Sequence, residues 1–184
     1  NFTEGEAKDA LSLTFYSIAL YGTIPVQLGF VLWFLIGVAP AELSSVDLFA
    51  KTFSLGAMGS VLAINSAHEI GHRTTSLNKF LSKLLLSSVL YVHFFEEHNY
   101  GHHKNVGTYD DPATSRRGEW LYVFVIRSIV FGWIGAWKIE HKRLTRNGGS
   151  SITLKNEVLV WQLIQLGLIS RKESDGWKQR HEEL

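Results

Sequence analysis

The feature that most limits what this chain can fold into is a stretch from Ala10 to Ala41 without a charged side chain. It runs for 32 consecutive positions and is rich in Leu, Ile, Val and Phe. A membrane-spanning helix needs roughly 20 such residues. Pro25, Gly22, Gly29 and Gly37 interrupt the run, and all are tolerated better in a membrane helix than in a soluble one. The expectation is a span from about Leu13 to Val38, tilted or kinked. A buried soluble helix is the alternative, kept open by a mean hydropathy of only +0.05.

Four further apolar stretches follow. Thr52 to Ala67 is uncharged for 16 residues and gives a plausible second span ending near His68. Leu84 to Phe95 has 12 uncharged residues, Leu121 to Trp137 carries Arg127 at its centre, and Val158 to Ser170 is 13 residues long. These last three are short or charged for crossing helices. The fold class read from this pattern is all-α: polytopic membrane helices with interfacial helices carrying a cytosol-facing histidine cluster. Trp120, Tyr122, Trp133 and Trp137 suit an interfacial helix, with core packing as an equal alternative. Arg143 to Thr153 is a turn-rich loop. Asp110-Asp111-Pro112 marks another turn, with Asp111 as a cap and Pro112 in the first turn of a following helix.

Five of the eight histidines lie in two short clusters, His68-Glu69-Ile70-Gly71-His72 and Glu97-His98-Asn99-Tyr100-Gly101-His102-His103. Each follows an apolar run. Histidines at i and i+4 share one helix face, so their rings can converge on an ion. The chain has no cysteine, which excludes disulfides, iron–sulfur clusters and thiolate zinc sites. Any metal must take nitrogen and oxygen ligands, and composition does not choose among iron, zinc, copper and manganese. A net charge of +1 argues against nucleic acid as a partner.

Geometry limits the arrangement further. If the clusters share a site, the segment from Asn78 to Phe95 cannot cross the membrane between them. Roughly 16 helical residues at about 1.5 Å each fall short of a ~30 Å hydrocarbon core. Arg73, Lys79, Lys83, Lys104, Arg116, Arg117 and the basic residues from Lys138 to Lys155 flank the clusters. Short loops rich in Lys and Arg stay cytoplasmic, so the metal is expected to face the cytosol.

Taken alone, His68-Glu69-Ile70-Gly71-His72 also matches the H-E-x-x-H pattern of zinc metalloproteases, some of them membrane-embedded. That reading leaves the second cluster unused. Five imidazoles exceed the three protein ligands of a catalytic zinc and suit two metals better. Two irons at the mouth of a membrane helix could reduce oxygen and attack an unactivated C–H bond, with apolar substrate arriving from the lipid.

Three blocks carry a resemblance: His68-Glu69-Ile70-Gly71-His72-Arg73, Phe94-Phe95-Glu96-Glu97-His98-Asn99-Tyr100-Gly101-His102-His103, and Asp111-Pro112-Ala113-Thr114-Ser115-Arg116-Arg117-Gly118-Glu119. Together they resemble the membrane-bound alkane 1-monooxygenases, within the membrane fatty acid desaturase and hydroxylase superfamily. Asn65, Arg143-Leu144 and Asn156-Glu157-Val158 fit as well, and the resemblance covers roughly residues 11 to 160. It implies two non-haem iron ions, molecular oxygen, electrons from rubredoxin and terminal hydroxylation of an alkane substrate. It also implies a place in the lipid of a bacterial inner membrane. By this resemblance His68, His72, His98, His102 and His103 are iron ligands. Asn65, Glu69 and Glu97 are then partners that orient imidazoles, although surface solvation or helix packing explains them nearly as well. Asp110 and Asp111 are expected chiefly in a turn. His93 stands outside the spacing, and His141 and His181 are read as solvated.

The family has two further histidine boxes that this sequence lacks. Residues 167–184 resemble the stretch that follows the first of them, as though an internal segment between about Val160 and Gly167 were missing. The chain starts at Asn1 rather than Met with no targeting peptide visible, and the beginning of a longer protein is expected to be missing. The expectation is a single, incomplete desaturase-like membrane domain over residues 1–184, its di-iron site half built. A non-catalytic metal-binding remnant remains an alternative beside the zinc protease.

Overall fold

The computed structural model describes residues 14–146 and 148–167. All the regular structure among these residues is helical, as the apolar pattern predicted. The chain divides into two compact units, residues 1–89 and 90–184.

In the first unit, α1 (Thr14–Trp33) runs on into a π-helical turn, Phe34–Val38. The combined segment Phe15–Val38 is 24 residues long and apolar enough to cross a membrane. Next, α2 (Ser45–Gly59), a π-helical turn (Ser60–Asn65) and α3 (Ser66–Gly71) form one rod, the second of crossing length at 27 residues. It starts seven residues before the uncharged run because Ser44 caps it. The Ser44 Oγ accepts the Asp47 N–H at 3.1 Å, and Asp47 adds negative charge to the first turn. Helix α4 (Ser76–Ser88) is capped by Thr75, whose Oγ1 accepts the Asn78 N–H at 3.3 Å. Its 13 residues reach only about 20 Å, too short to cross.

Polar contacts tie α1 to α4. The Tyr21 hydroxyl donates to Asn78 Oδ1 at 2.7 Å and accepts from Arg73 Nη1 at 3.0 Å. Gln27 Nε2 donates to Ser88 Oγ at 3.2 Å. Gly59 allows a close approach: a Cβ there would come within 2.7 Å of Val89 Cγ1. Ile70, Leu85 and Leu86 are fully buried, whereas Phe15, Ile36 and Phe49 are 79%, 74% and 71% exposed. Such outward apolar side chains would cost roughly 25 cal/mol per Å² in water and cost little in lipid.

In the second unit, α5 (His93–Glu97), a π-helical turn (His98–His102) and α6 (His103–Asn105) carry the second histidine cluster. A loop leads to α7 (Leu121–Thr145), and α8 spans residues 157–167. Helix α7 differs from expectation, because its 25 residues make it a third helix of crossing length. The helix continues eight residues beyond Trp137, and Arg127 does not shorten it because that side chain is paired with Glu119. At its far end Glu140 is nearly fully buried. It accepts from Arg143 Nε at 2.5 Å and from the Glu157 N–H at 2.9 Å, holding the start of α8. His141 is exposed, as expected, with Nδ1 against the Ser151 hydroxyl. His181 and the tail from residue 168 lie outside the described residues.

Candidate metal centre

In the first unit the π-helical turn Ser60–Asn65 gives way to regular α-helix just before His68. His68 and His72 therefore hold the expected i, i+4 relation, with ring centroids 4.7 Å apart at 71°. Among the described residues neither Asn65 nor Glu69 hydrogen-bonds to an imidazole.

The second cluster is wound differently. The His103 N–H reaches back to the His98 carbonyl, five residues earlier, which is the hydrogen bond of a π-helix. This winding adds about one residue to the turn, so His103 meets the His98 ring as well as His102. The two Nε2 atoms lie 3.0 Å apart, with rings edge to face at 4.5 Å. Asn99 supports the turn by donating Nδ2 to the Phe95 carbonyl at 2.8 Å. The His102 ring stacks on His98 at 5.3 Å. Three imidazoles thus share one turn, a nitrogen-rich donor set that fits a first-row transition metal.

His102 is held by Asp111, which is 1% exposed. His102 Nδ1 lies 2.9 Å from Asp111 Oδ2. An ionised carboxylate only accepts, so His102 Nδ1 is the donor in this bond, which leaves the Nε2 side of the ring as the one turned to any metal. Asp111 Oδ2 also accepts the Thr114 hydroxyl, and its Oδ1 accepts the Ala113 N–H at 2.9 Å. Burial would raise the Asp111 pKa, but the bonds from Thr114, Ala113 and His102 hold it below the usual carboxylate value. Asp111 therefore serves the turn and the histidine together. Pro112 lies in that turn and not in a helix, since α7 begins only at Leu121.

Glu97 rests in a notch of glycines. A Cβ on Gly101 would fall 2.7 Å from Glu97 Oε1, and one on Gly135 would fall 3.2 Å from its Cγ. Burial first, then the neighbouring Asp111 charge, raise the Glu97 pKa to about 7, with His102 opposing. His93 is buried, packs edge-on against Tyr91 at 4.6 Å, and has no hydrogen-bond partner for Nε2 among the described residues. Burial lowers its pKa to about 4, so it is neutral at physiological pH.

The pairing of Glu119 with Arg127 went unassigned in the sequence. Glu119 accepts Arg127 Nε on Oε1 at 2.6 Å and Arg127 Nη2 on Oε2 at 2.7 Å. The available signal was Arg127 itself, a charge in an apolar stretch that demands a partner.

The sequence model of the fatty acid desaturase family matches residues 46–169, about two thirds of the chain. Three similar proteins are alkane 1-monooxygenases. That of Ectopseudomonas oleovorans is 39% identical over 150 residues, covering 82% of this chain and 37% of that protein. Alkane 1-monooxygenase 1 of Alcanivorax borkumensis is 39% identical over 145 residues, 79% of this chain and 36% of its own length. The Pseudomonas putida enzyme is 38% identical over 154 residues, 84% and 38% respectively. The chain thus spans under two fifths of the length of these relatives.

Proposed function

Because the chain belongs to the fatty acid desaturase family and has three helices of membrane-crossing length, we propose that it acts in alkane hydroxylation. The substrate is an alkane, hydroxylated at its terminal carbon with molecular oxygen and electrons from rubredoxin. The proposed ligands of a non-haem di-iron centre are His68, His72, His98, His102 and His103. The similarity to alkane 1-monooxygenases supports the substrate class. The proposed location is a bacterial inner membrane with the metal facing the cytoplasm, on the strength of the flanking Lys and Arg residues.

One observation carries the metal reading: the facing Nε2 atoms of His98 and His103 at 3.0 Å. Facing ring nitrogens suit either one shared proton or a cation between two lone pairs. When bound, iron supplies the redox chemistry that reduces dioxygen and breaks an unactivated C–H bond. The chain's own residues orient the imidazoles through Asp111, and the apolar helix faces admit substrate from lipid.

The test loads the membrane-embedded protein with Fe(II) anaerobically, counts metal, and follows octane, oxygen and 1-octanol with reduced rubredoxin. Iron that is lost in His98→Ala and His103→Ala is expected, with no 1-octanol from this half-built site alone and oxygen-dependent 1-octanol once the chain is extended with the family's two further histidine boxes. One zinc per chain with peptide hydrolysis would overturn the reading in favour of the H-E-x-x-H protease. Iron binding without oxygen consumption in the extended chain would leave a non-catalytic metal-binding protein.

A further inference from the structure

Arg127 sits seven positions into α7, about 9 Å from the helix start. Its guanidinium makes four hydrogen bonds. Two go to the Glu119 carboxylate, one to the Pro112 carbonyl at 3.0 Å and one to the Thr114 carbonyl at 2.9 Å. Ser128, the next residue on the helix, donates to the same Pro112 carbonyl at 2.8 Å. Both carbonyls belong to the turn whose first residue, Asp111, holds His102 Nδ1. Thr114 closes the circuit, because its hydroxyl bonds Asp111 and accepts the Gly107 N–H at 2.9 Å. Glu119 also accepts the Arg116 N–H at 2.9 Å, folding the loop back on itself.

From this geometry we infer that Arg127 is a positioning residue that sets the orientation of His102 by clamping the Asp111 turn against α7. The planar guanidinium fork is suited to such a clamp, since it satisfies a carboxylate and two carbonyls at fixed angles, which an ammonium cannot. A paired arginine also removes the cost of a lone charge in an apolar helix. The block from Asp111 to Glu119 then reads as a buckle between a histidine and a membrane helix. Asp111 faces the histidine, while the Pro112 and Thr114 carbonyls and Glu119 face the arginine. The consequence for metal affinity rests on the metal-centre reading above, whereas the clamp itself does not.

The test uses the full chain in lipid nanodiscs with 15N-labelled histidine. In metal-free wild type, His102 is expected in a single form protonated on Nδ1. In Arg127→Gln that form gives way to a mixture of tautomers, and Co(II) affinity falls about 10- to 100-fold, as expected for loss of a ligand's supporting partner. Asp111→Asn is expected to match it. Arg127→Lys keeps the charge but not the fork, and is expected to resemble Arg127→Gln. An unchanged His102 signal in Arg127→Gln, or wild-type behaviour of Arg127→Lys, overturns the inference. If Arg127→Gln does not fold, Glu119→Gln is read by the same two signals. If wild type binds no Co(II), the metal reading fails while the tautomer measurement still decides the clamp.

Discussion

His98 and His103 bring their Nε2 atoms to 3.0 Å across a π-helical turn, so the second histidine group depends on one extra residue of winding. In an ordinary α-helix the pair at i, i+5 would diverge by roughly 140° around the axis. The backbone bond from the His103 N–H to the His98 carbonyl is what aligns them.

Deleting Tyr100 tests that winding. Tyr100 is half exposed, so its removal costs little packing but returns the turn to α-helical register. The expected result is unchanged helical circular dichroism with metal retained by the second histidine group, because His98 and His103 then stand at i, i+4 of an ordinary helix and still share one face. Loss of metal in the deletion variant would refute alignment of this pair as the role of the π turn.

Two carboxylates should give stability slopes of opposite sign. The hydrogen bond from Arg127, then that from the Arg116 N–H, lower the Glu119 pKa from 4.5 to about 2. Its contribution is therefore present above pH ~4.5 and lost as pH falls toward 2. Glu97 is raised from 4.5 to about 7, mainly by burial. The folded state then binds more protons than the unfolded state between those values, so stability falls as pH rises from ~4.5 to ~7. Thermal unfolding across both windows should show each slope flattened selectively, the acid one in Glu119→Gln and the neutral one in Glu97→Gln.

The glycine notch predicts a coupled pair. An alanine at Gly101 would press on Glu97 Oε1 and, at 3.2 Å, on Ile139 Cδ1. Overpacking costs about 1–3 kcal/mol, against about 1 kcal/mol gained in helix propensity. Gly101→Ala should be neutral to mildly destabilising in wild type and clearly stabilising in a Glu97→Ala background. Equal effects in both backgrounds, read by a double-mutant cycle, would remove the notch from the account.

Leu90 has φ of 57°, the only positive φ at a non-glycine among the described residues. An L residue there costs about 1–2 kcal/mol, partly offset by the entropy glycine loses on folding. Leu90 is 57% exposed, so little packing is lost on substitution. Leu90→Gly should raise the unfolding free energy by about 1 kcal/mol, measured by denaturant unfolding in nanodiscs.

The first histidine pair was legible because α-helical spacing held there: His68 and His72 meet as i, i+4 predicts. The second was legible in residue type but not in register. A single shifted backbone hydrogen bond has no side-chain signature, and it brought His103 against His98 beside the stacked His102 ring. Helix α7 was misjudged for a related reason. Arg127 looks prohibitive in a one-dimensional apolar count, yet Glu119 and two loop carbonyls satisfy it. Asp111 was read mainly as a turn residue, and its second oxygen proved to hold His102.

The sequence by itself determined the solvent and the chemistry. The uncharged run of 32 residues from Ala10 to Ala41 points to lipid by its length, and imidazoles without a single cysteine restrict any metal to nitrogen and oxygen ligands. Tertiary structure decided which nitrogen points where. Orientation depends on bonds between residues far apart along the chain, such as Arg127 to Pro112 and His102 to Asp111. Residue identity permits such bonds, but only the folded backbone brings their partners within reach.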